Sequence, residues 1–189
     1  QSFLKLTQPI SFNFVLNGKS KYAIFIYNGN IPFSTWKNIF KIYPLLGYYY
    51  YNNKNNEIDI NDSLLMIKLI NILALSNQYT TFKDVLIRII NIIDRAFCII
   101  IKFHNEEWII RDKLGVRPLV LGLSNNNKKI IVASEDCCFD KTIFRLVNDI
   151  KPGNIVKIDY NTLKVKIEYQ SKSTSITKHC IFEYFYFMR

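Results

Sequence analysis

The hydrophobic pattern of the chain changes its period just before Phe97, and this change limits the folds that are open to it. Ahead of that point, apolar residues fall at i, i+3, i+4, i+7, i+8 and i+11: Phe82, Val85, Leu86, Ile89, Ile90 and Ile93. This spacing places them on one face of a helix. From Phe97 onward the apolar runs are short and are separated by turn residues, which is typical of hairpins. Segregated helices and antiparallel strands predict an α+β layered domain.

Two further helices are predicted earlier in the chain. The first covers Ser34–Tyr43 and ends at Pro44, because proline cannot continue a helix. The second is capped by Asn61-Asp62-Ser63 and runs to about Leu75. Between them, Tyr48–Asn56 is interpreted as an extended piece followed by a surface turn.

The first predicted strand, Tyr22–Tyr27, stops at Asn28-Gly29-Asn30, a strong turn signal. The later strands are Phe97–Phe103, Trp108–Arg111, Leu119–Leu123, Lys129–Ala133, Asn154–Tyr160 and Leu163–Tyr169. The polar segment Ser171–Lys178 indicates a linker, and the aromatic block Cys180–Arg189 is interpreted as the first strand of a second domain. This predicts one domain over residues 1–170 and the beginning of another over 171–189.

Composition excludes several classes of protein. Of the 189 residues, 49% are hydrophobic and only 21% are charged, so the chain can bury a core. The net charge is +10, but the lysines are scattered singly, so no nucleic-acid partner is expected. No signal peptide is visible and no apolar run reaches the ~18 residues of a membrane span, so a cytoplasmic protein with no membrane partner is expected. The four cysteines lack the spacing of a zinc site or of a disulfide framework.

Four segments, in their order along the chain, resemble class II glutamine amidotransferases. Arg111–Gly122 resembles the RDxxGxRPL segment, Val132–Glu135 the "ASE" strand, Ile150–Asp159 the V-x-P-G-E-I-V-x-I hairpin, and Cys180–Arg189 the block that opens a phosphoribosyltransferase domain. The last block favours the amidophosphoribosyltransferases over glucosamine-6-phosphate synthases and asparagine synthetases. The resemblance extends from about Tyr22 to Arg189.

The resemblance implies a four-layer αββα sandwich of the N-terminal nucleophile hydrolase type, incomplete here at its N-terminus. It implies a homo-oligomer that hydrolyses glutamine and transfers ammonia to phosphoribosyl pyrophosphate, giving 5-phosphoribosylamine in de novo purine biosynthesis. In this family an N-terminal cysteine attacks the glutamine, with its own α-amino group, of pKa near ~8, as the base. This chain begins at Gln1 and has no cysteine before Cys98, so the chain alone is expected to be inactive.

By the same resemblance, Tyr27-Asn28-Gly29-Asn30 looks like the HNGN segment of the family. The Asn28 side-chain amide and the Gly29 backbone N–H would then form an oxyanion hole. The alternative is an ordinary Asn-Gly hairpin turn. Tyr27 departs from the histidine of the family.

Asn61-Asp62-Ser63 resembles the SDSE segment, so Asp62 would bind the α-amino group of glutamine. The alternative is a helix cap, and both roles are compatible because a cap fixes the carboxylate. Leu64 replaces the glutamate of the pattern.

Arg111, Asp112 and Arg117 are interpreted as structural: Arg–carboxylate pairing would fix the loop between two strands and could serve the contact with a second domain. Cys180 matches a position that binds an iron–sulfur cluster in some members of the family. No other cofactor is expected within the chain, while Mg²⁺ would bind the missing phosphoribosyltransferase domain. Two alternatives stay open: a decayed, non-catalytic module, which Tyr27 and Leu64 favour, and another class II amidotransferase.

Overall fold

The computed structural model describes residues 7–55, 60–76 and 78–172. The helices are α1 (Phe33–Ile42), α2 (Pro44–Asn55), α3 (Asp62–Leu75) and α4 (Phe82–Ile92). The strands are β1 (Ile10–Leu16), β2 (Lys19–Gly29), β3 (Phe97–Phe103), β4 (Glu106–Arg111), β5 (Val120–Ser124), β6 (Ile130–Ala133), β7 (Phe144–Asp149), β8 (Asn154–Asp159) and β9 (Lys164–Gln170). The expectations for Cys180 and for a second-domain strand lie outside the described residues.

The strands form two antiparallel sheets. The larger sheet has six strands in the order β1-β2-β3-β4-β8-β9, and the smaller has three in the order β6-β5-β7.

Two hydrophobic cores lie on the two faces of the larger sheet. The first packs all four helices against residues such as Phe25, Ile99 and Ile110, and the second packs Ile109 and Val156 against Leu121 of the small sheet. The α+β class is therefore confirmed, with one helical layer and two sheets among the described residues. In that same part of the chain, no helix is long and apolar enough to cross a membrane.

Helix α4 confirms the periodic stripe that the sequence predicted. The five stripe positions within the helix are 4% exposed or less, and Ile93 follows at 1%: Phe82, Val85, Leu86, Ile89 and Ile90. The start of the helix is fixed by a capping box, in which the Thr81 side chain accepts a hydrogen bond from the Asp84 N–H and the Asp84 carboxylate accepts one from the Thr81 N–H. These bonds satisfy N–H groups that a helix leaves free at its first turn.

The extended conformation expected for Tyr48–Asn56 is wrong, because α2 runs from Pro44 to Asn55. Pro44 ends α1 but begins α2, since a proline lacks only an N–H that the first helical position leaves free. Gly47 then lets α2 approach α1 closely: a Cβ at this position would lie 3.1 Å from the Cβ of Phe40. The Tyr50 ring packs on Phe40 at 5.5 Å between centroids, so tertiary contact decides the conformation of the tyrosine run.

The prediction that the strand stops before Asn28 is also wrong, and so is the alternative of an Asn-Gly hairpin turn. Strand β2 continues through Gly29, where Asn28 pairs with Cys98 and Gly29 with Phe97 of β3. On the other side of β2, the Gln8 side-chain amide takes the place of a neighbouring strand: it accepts from the Tyr27 N–H and donates to the Tyr27 carbonyl, both at 2.7 Å. Pairing on both sides holds the backbone extended against its local turn preference.

Candidate functional site

The candidate site lies at the edge of the large sheet where β2 ends. Successive side chains of a strand point to opposite faces. Tyr27 belongs to the core under the helices, whereas Asn28 stands opposite Cys98, a member of the core between the sheets. The end of β2 therefore presents chemical groups to both faces of the large sheet.

Asn28 is half-buried, and its side-chain amide has no hydrogen-bond partner among residues 7–55, 60–76 and 78–172. Gly29 is constrained much more tightly. A Cβ at this position would lie 2.6 Å from the Tyr27 hydroxyl and 2.9 Å from the Ala96 carbonyl oxygen. Both distances are too short for any real side chain, so only glycine fits this backbone.

Asp62 is the first residue of α3, and it is not the cap. The cap is Asn61, whose side chain accepts a hydrogen bond from the Leu64 N–H. Both oxygens of the Asp62 carboxylate accept hydrogen bonds, one from the Ile31 N–H at 2.7 Å and one from the Trp36 indole N–H at 2.8 Å. Ile31 lies two residues beyond Gly29, so these bonds bring Asp62 to the edge that carries Asn28 and Gly29.

Tyr27 is 6% exposed, and its hydroxyl has no hydrogen-bond partner within the described part of the chain. Burial raises the pKa of the Tyr27 phenol far above its usual value, and the negative charge of Asp62 raises it further, while Arg117 lowers it. The residue is therefore a neutral phenol.

Arg111 and Asp112 fix the loop after β4 through the backbone. The two η nitrogens of Arg111 donate to the carbonyls of Ile150 at 2.7 Å and Gly115 at 2.9 Å. The Asp112 carboxylate, which is 0% exposed, accepts from the N–H groups of Phe97, Leu114 and Gly115. The expected pairing of an arginine with a carboxylate is wrong for these two residues, because the loop presents carbonyls to Arg111 and N–H groups to Asp112.

Burial raises the pKa of the Asp112 carboxyl more than its hydrogen bonds and the Arg111 charge lower it. The Arg117 carbonyl lies 3.7 Å from the Cys98 Sγ, so the same loop continues to the residue that pairs with Asn28. Arg111, Asp112 and Arg117 thus border the edge of the sheet that carries the candidate site.

Sequence patterns did not indicate Gln8, Trp36 or Cys98 as neighbours of the site. Gln8 makes two hydrogen bonds to Tyr27 and Trp36 makes one to Asp62, each over a long sequence separation that leaves no local pattern. Among the described residues, no three His, Cys, Asp or Glu side chains converge as ligands for a metal ion.

Comparisons with known proteins agree with the motifs of the sequence. No protein-family model matches the chain. It is 28% identical to an amidophosphoribosyltransferase of Methanocaldococcus jannaschii over 135 residues, covering 62% of this chain and 26% of that protein. It is 31% identical to the amidophosphoribosyltransferase of Mycobacterium tuberculosis (strain H37Rv) over 111 residues, covering 58% of this chain and 20% of that protein.

Solved structures show the same fold. A glutamine phosphoribosylpyrophosphate amidotransferase from B. subtilis, complexed with ADP and GMP, superposes with a TM-score of 0.67 at 24% identity. The match covers 98% of this chain and 36% of that one. The fold is therefore that of the glutamine phosphoribosylpyrophosphate amidotransferases. The chain is a relative of the amidophosphoribosyltransferases, as its motifs predicted, and it spans about a quarter of the length of the M. jannaschii protein.

Proposed function

We propose that this chain contributes the glutamine-binding and oxyanion-stabilising part of an amidophosphoribosyltransferase. The whole enzyme hydrolyses glutamine and transfers the ammonia to phosphoribosyl pyrophosphate, which gives 5-phosphoribosylamine for purine synthesis. The observation that carries the proposal is the meeting of Asn28, Gly29 and Asp62 at one edge of the large sheet, through the hydrogen bond from the Ile31 N–H to Asp62.

Attack on the side-chain amide of glutamine produces a tetrahedral intermediate whose oxygen carries negative charge. Donors that are already in place stabilise this charge without reorganisation. Asn28 offers a side-chain amide that has no hydrogen-bond partner within the described ranges, and Gly29 offers a backbone N–H on a residue that its surroundings hold in place. None of the cysteines of this chain is assigned as the nucleophile, so the chain alone is expected to be inactive.

Asp62 supplies the negative charge that an α-ammonium group requires. Each carboxylate oxygen has two lone pairs, so accepting from the Ile31 N–H and the Trp36 indole leaves acceptor capacity on both oxygens. A hydrogen bond from an ammonium group to a carboxylate is charge-assisted and is roughly twice as strong as a neutral one.

Several features of the whole enzyme belong to the same proposal. They are a complete four-layer αββα sandwich, a cytoplasmic homo-oligomer, and a phosphoribosyltransferase domain that binds phosphoribosyl pyrophosphate with Mg²⁺. Cys180 would be a ligand if an iron–sulfur cluster is present.

A glutaminase assay on the parent enzyme tests the oxyanion assignment. Asn28→Ala is expected to lower the turnover number by ~10²–10³-fold, because one of two donors to the developing charge is lost. Asn148→Ala, which removes an exposed amide on β7, is the matched control and should retain the wild-type turnover. Equal turnover of Asn28→Ala and wild type would show that Asn28 does not stabilise the oxyanion.

A further inference from the structure

A cleft of about 710 Å³ lies at the opposite end of the large sheet from the candidate site. It opens between the β1–β2 hairpin, the start of α4 and the far ends of β3, β4 and β8, and Glu168 of β9 also lines it. Lys21 lines it and precedes Gly29 by eight residues on β2. At a rise of about 3.3 Å per residue the two are about 26 Å apart, so the cleft is a separate site. Its volume is in the range of small-molecule sites.

One side of the cleft carries uncompensated positive charge. Lys19 and Lys21 come from the hairpin and Lys83 comes from the first turn of α4. None of the three has a carboxylate within 4.0 Å among the residues that the structure describes. The Lys21 Nζ lies 3.3 Å from the Nε2 of His104, whose imidazole carries no negative charge and so cannot act as a counter-ion.

The acidic residues of the cleft are already engaged. Glu106 forms an ion pair with Lys157 and accepts a hydrogen bond from the Trp108 indole N–H at 3.1 Å. Glu168 pairs with Lys166 at 3.1 Å. Asp159 accepts from the neutral Asn161 N–H at 2.8 Å, which leaves its negative charge in place. Among the described residues, three lysines without an ion pair therefore face one carboxylate without an ion pair, so the charge that is left for a ligand is positive.

The floor beside the lysines is aromatic. Phe82, Phe103 and Trp108 line the cleft, and the Phe82 ring meets those of Phe103 and Trp108 at 4.9 and 5.8 Å between centroids. Clustered ammonium groups attract phosphate as point charges, and an apolar floor favours a carbon skeleton attached to that phosphate. We propose that this cleft binds a phosphate monoester of a small organic molecule, with the phosphate at Lys19, Lys21 and Lys83 and the organic part against Trp108.

The two tryptophans allow both sites to be observed separately. Trp36 donates to Asp62 in the candidate glutamine site, whereas Trp108 donates to Glu106 in the cleft. With ¹⁵N-labelled tryptophan in the whole chain, each site gives one indole N–H signal. Titration with inorganic phosphate and with phenyl phosphate is expected to shift the Trp108 signal to saturation and to leave the Trp36 signal in place. Phenyl phosphate should bind several-fold more tightly than inorganic phosphate, because its ring adds apolar contact.

Lys21→Gln and Lys83→Gln are each expected to weaken binding of phenyl phosphate about fivefold. This is the loss of affinity expected when one solvent-exposed ion pair is removed. Lys41→Gln removes the same charge from the last turn of α1 and should leave the affinity unchanged. The proposal is overturned if millimolar phenyl phosphate leaves the Trp108 signal unmoved, or if Lys41→Gln weakens binding as much as Lys21→Gln. Failure here leaves the glutaminase proposal intact, since that proposal concerns Asn28, Gly29 and Asp62.

Discussion

At the scale of single residues, Gly29 is the most constrained position of the candidate site. The Tyr27 hydroxyl and the Ala96 carbonyl occupy the space of a side chain, and the carbonyl belongs to the backbone and cannot rotate away. The N–H that is proposed to stabilise the oxyanion therefore belongs to a residue held on two sides. Precise placement is what distinguishes a useful oxyanion donor from an ordinary strand amide.

Gly29→Ala is expected to lower the free energy of unfolding by about 1–3 kcal/mol, the usual cost of overpacking. Urea denaturation followed by circular dichroism measures this change. Adding Tyr27→Phe should restore only part of the loss, because the Tyr27 Cζ, 2.8 Å from the added Cβ, and the Ala96 oxygen both remain. Full recovery in the double variant would show that the hydroxyl alone excludes a side chain.

The sequence motifs identified Asn28, Gly29 and Asp62, and the structure brings them to one edge of the sheet. The motifs did not reveal what orders these residues. A helix cap was the alternative role for Asp62, yet Asn61 takes that role, and Asp62 instead accepts hydrogen bonds from Ile31 and Trp36. A motif identifies residue types at a local spacing, whereas these contacts depend on how α1 and α3 pack.

At the scale of elements, α4 shows why its prediction succeeded. The helical stripe and the capping residues are both local, and they agree with each other. The prediction for Tyr48–Asn56 was wrong because packing on Phe40 outweighed the local preference of the tyrosine run. The prediction at Asn28-Gly29 was wrong because pairing with β3, together with the Gln8 bonds to the preceding residue, outweighed the local turn preference. Strands β1 and β7 were not predicted at all, and β7 is exposed along most of its length, so it lacks a buried stripe.

Thr81→Ala is expected to destabilise the protein by about 1 kcal/mol, because the Asp84 N–H loses its side-chain acceptor at the start of α4 and keeps only the Thr81 carbonyl. Chemical denaturation measures the loss. Thr81→Ser keeps the hydroxyl and should retain most of the stability. Equal destabilisation by alanine and serine would attribute the effect to the lost methyl group and not to the cap.

At the scale of the whole molecule, the two cores share the large sheet but differ in size. The core under the helices contains most of the buried side chains, while the core between the sheets is built from a small set that includes Ile109, Leu121 and Val156. The small sheet therefore depends on few apolar contacts. Regions with few buried contacts open at a lower free energy than the rest of a protein.

Leu121→Ala is expected to cost about 2–5 kcal/mol, the range for truncation of a buried leucine. Hydrogen exchange should become faster in β5, β6 and β7, with little change in α3. Leu146→Ala on β7 is the control, since Leu146 is 47% exposed and its truncation should have a small effect. Equally increased exchange in α3 would mean that the two cores unfold as one unit.

The hydrogen bonds of Asp62 have a consequence for how tightly a ligand can be held. The carboxylate that would capture an ammonium group also anchors the chain after β2 and the indole of α1. An arriving ligand must share these oxygens, so part of its attraction is offset by weakened anchoring. The affinity for an ammonium group and the strength of the hydrogen bonds from Ile31 and Trp36 therefore depend on the same two oxygen atoms. A change that increases one of them is expected to decrease the other.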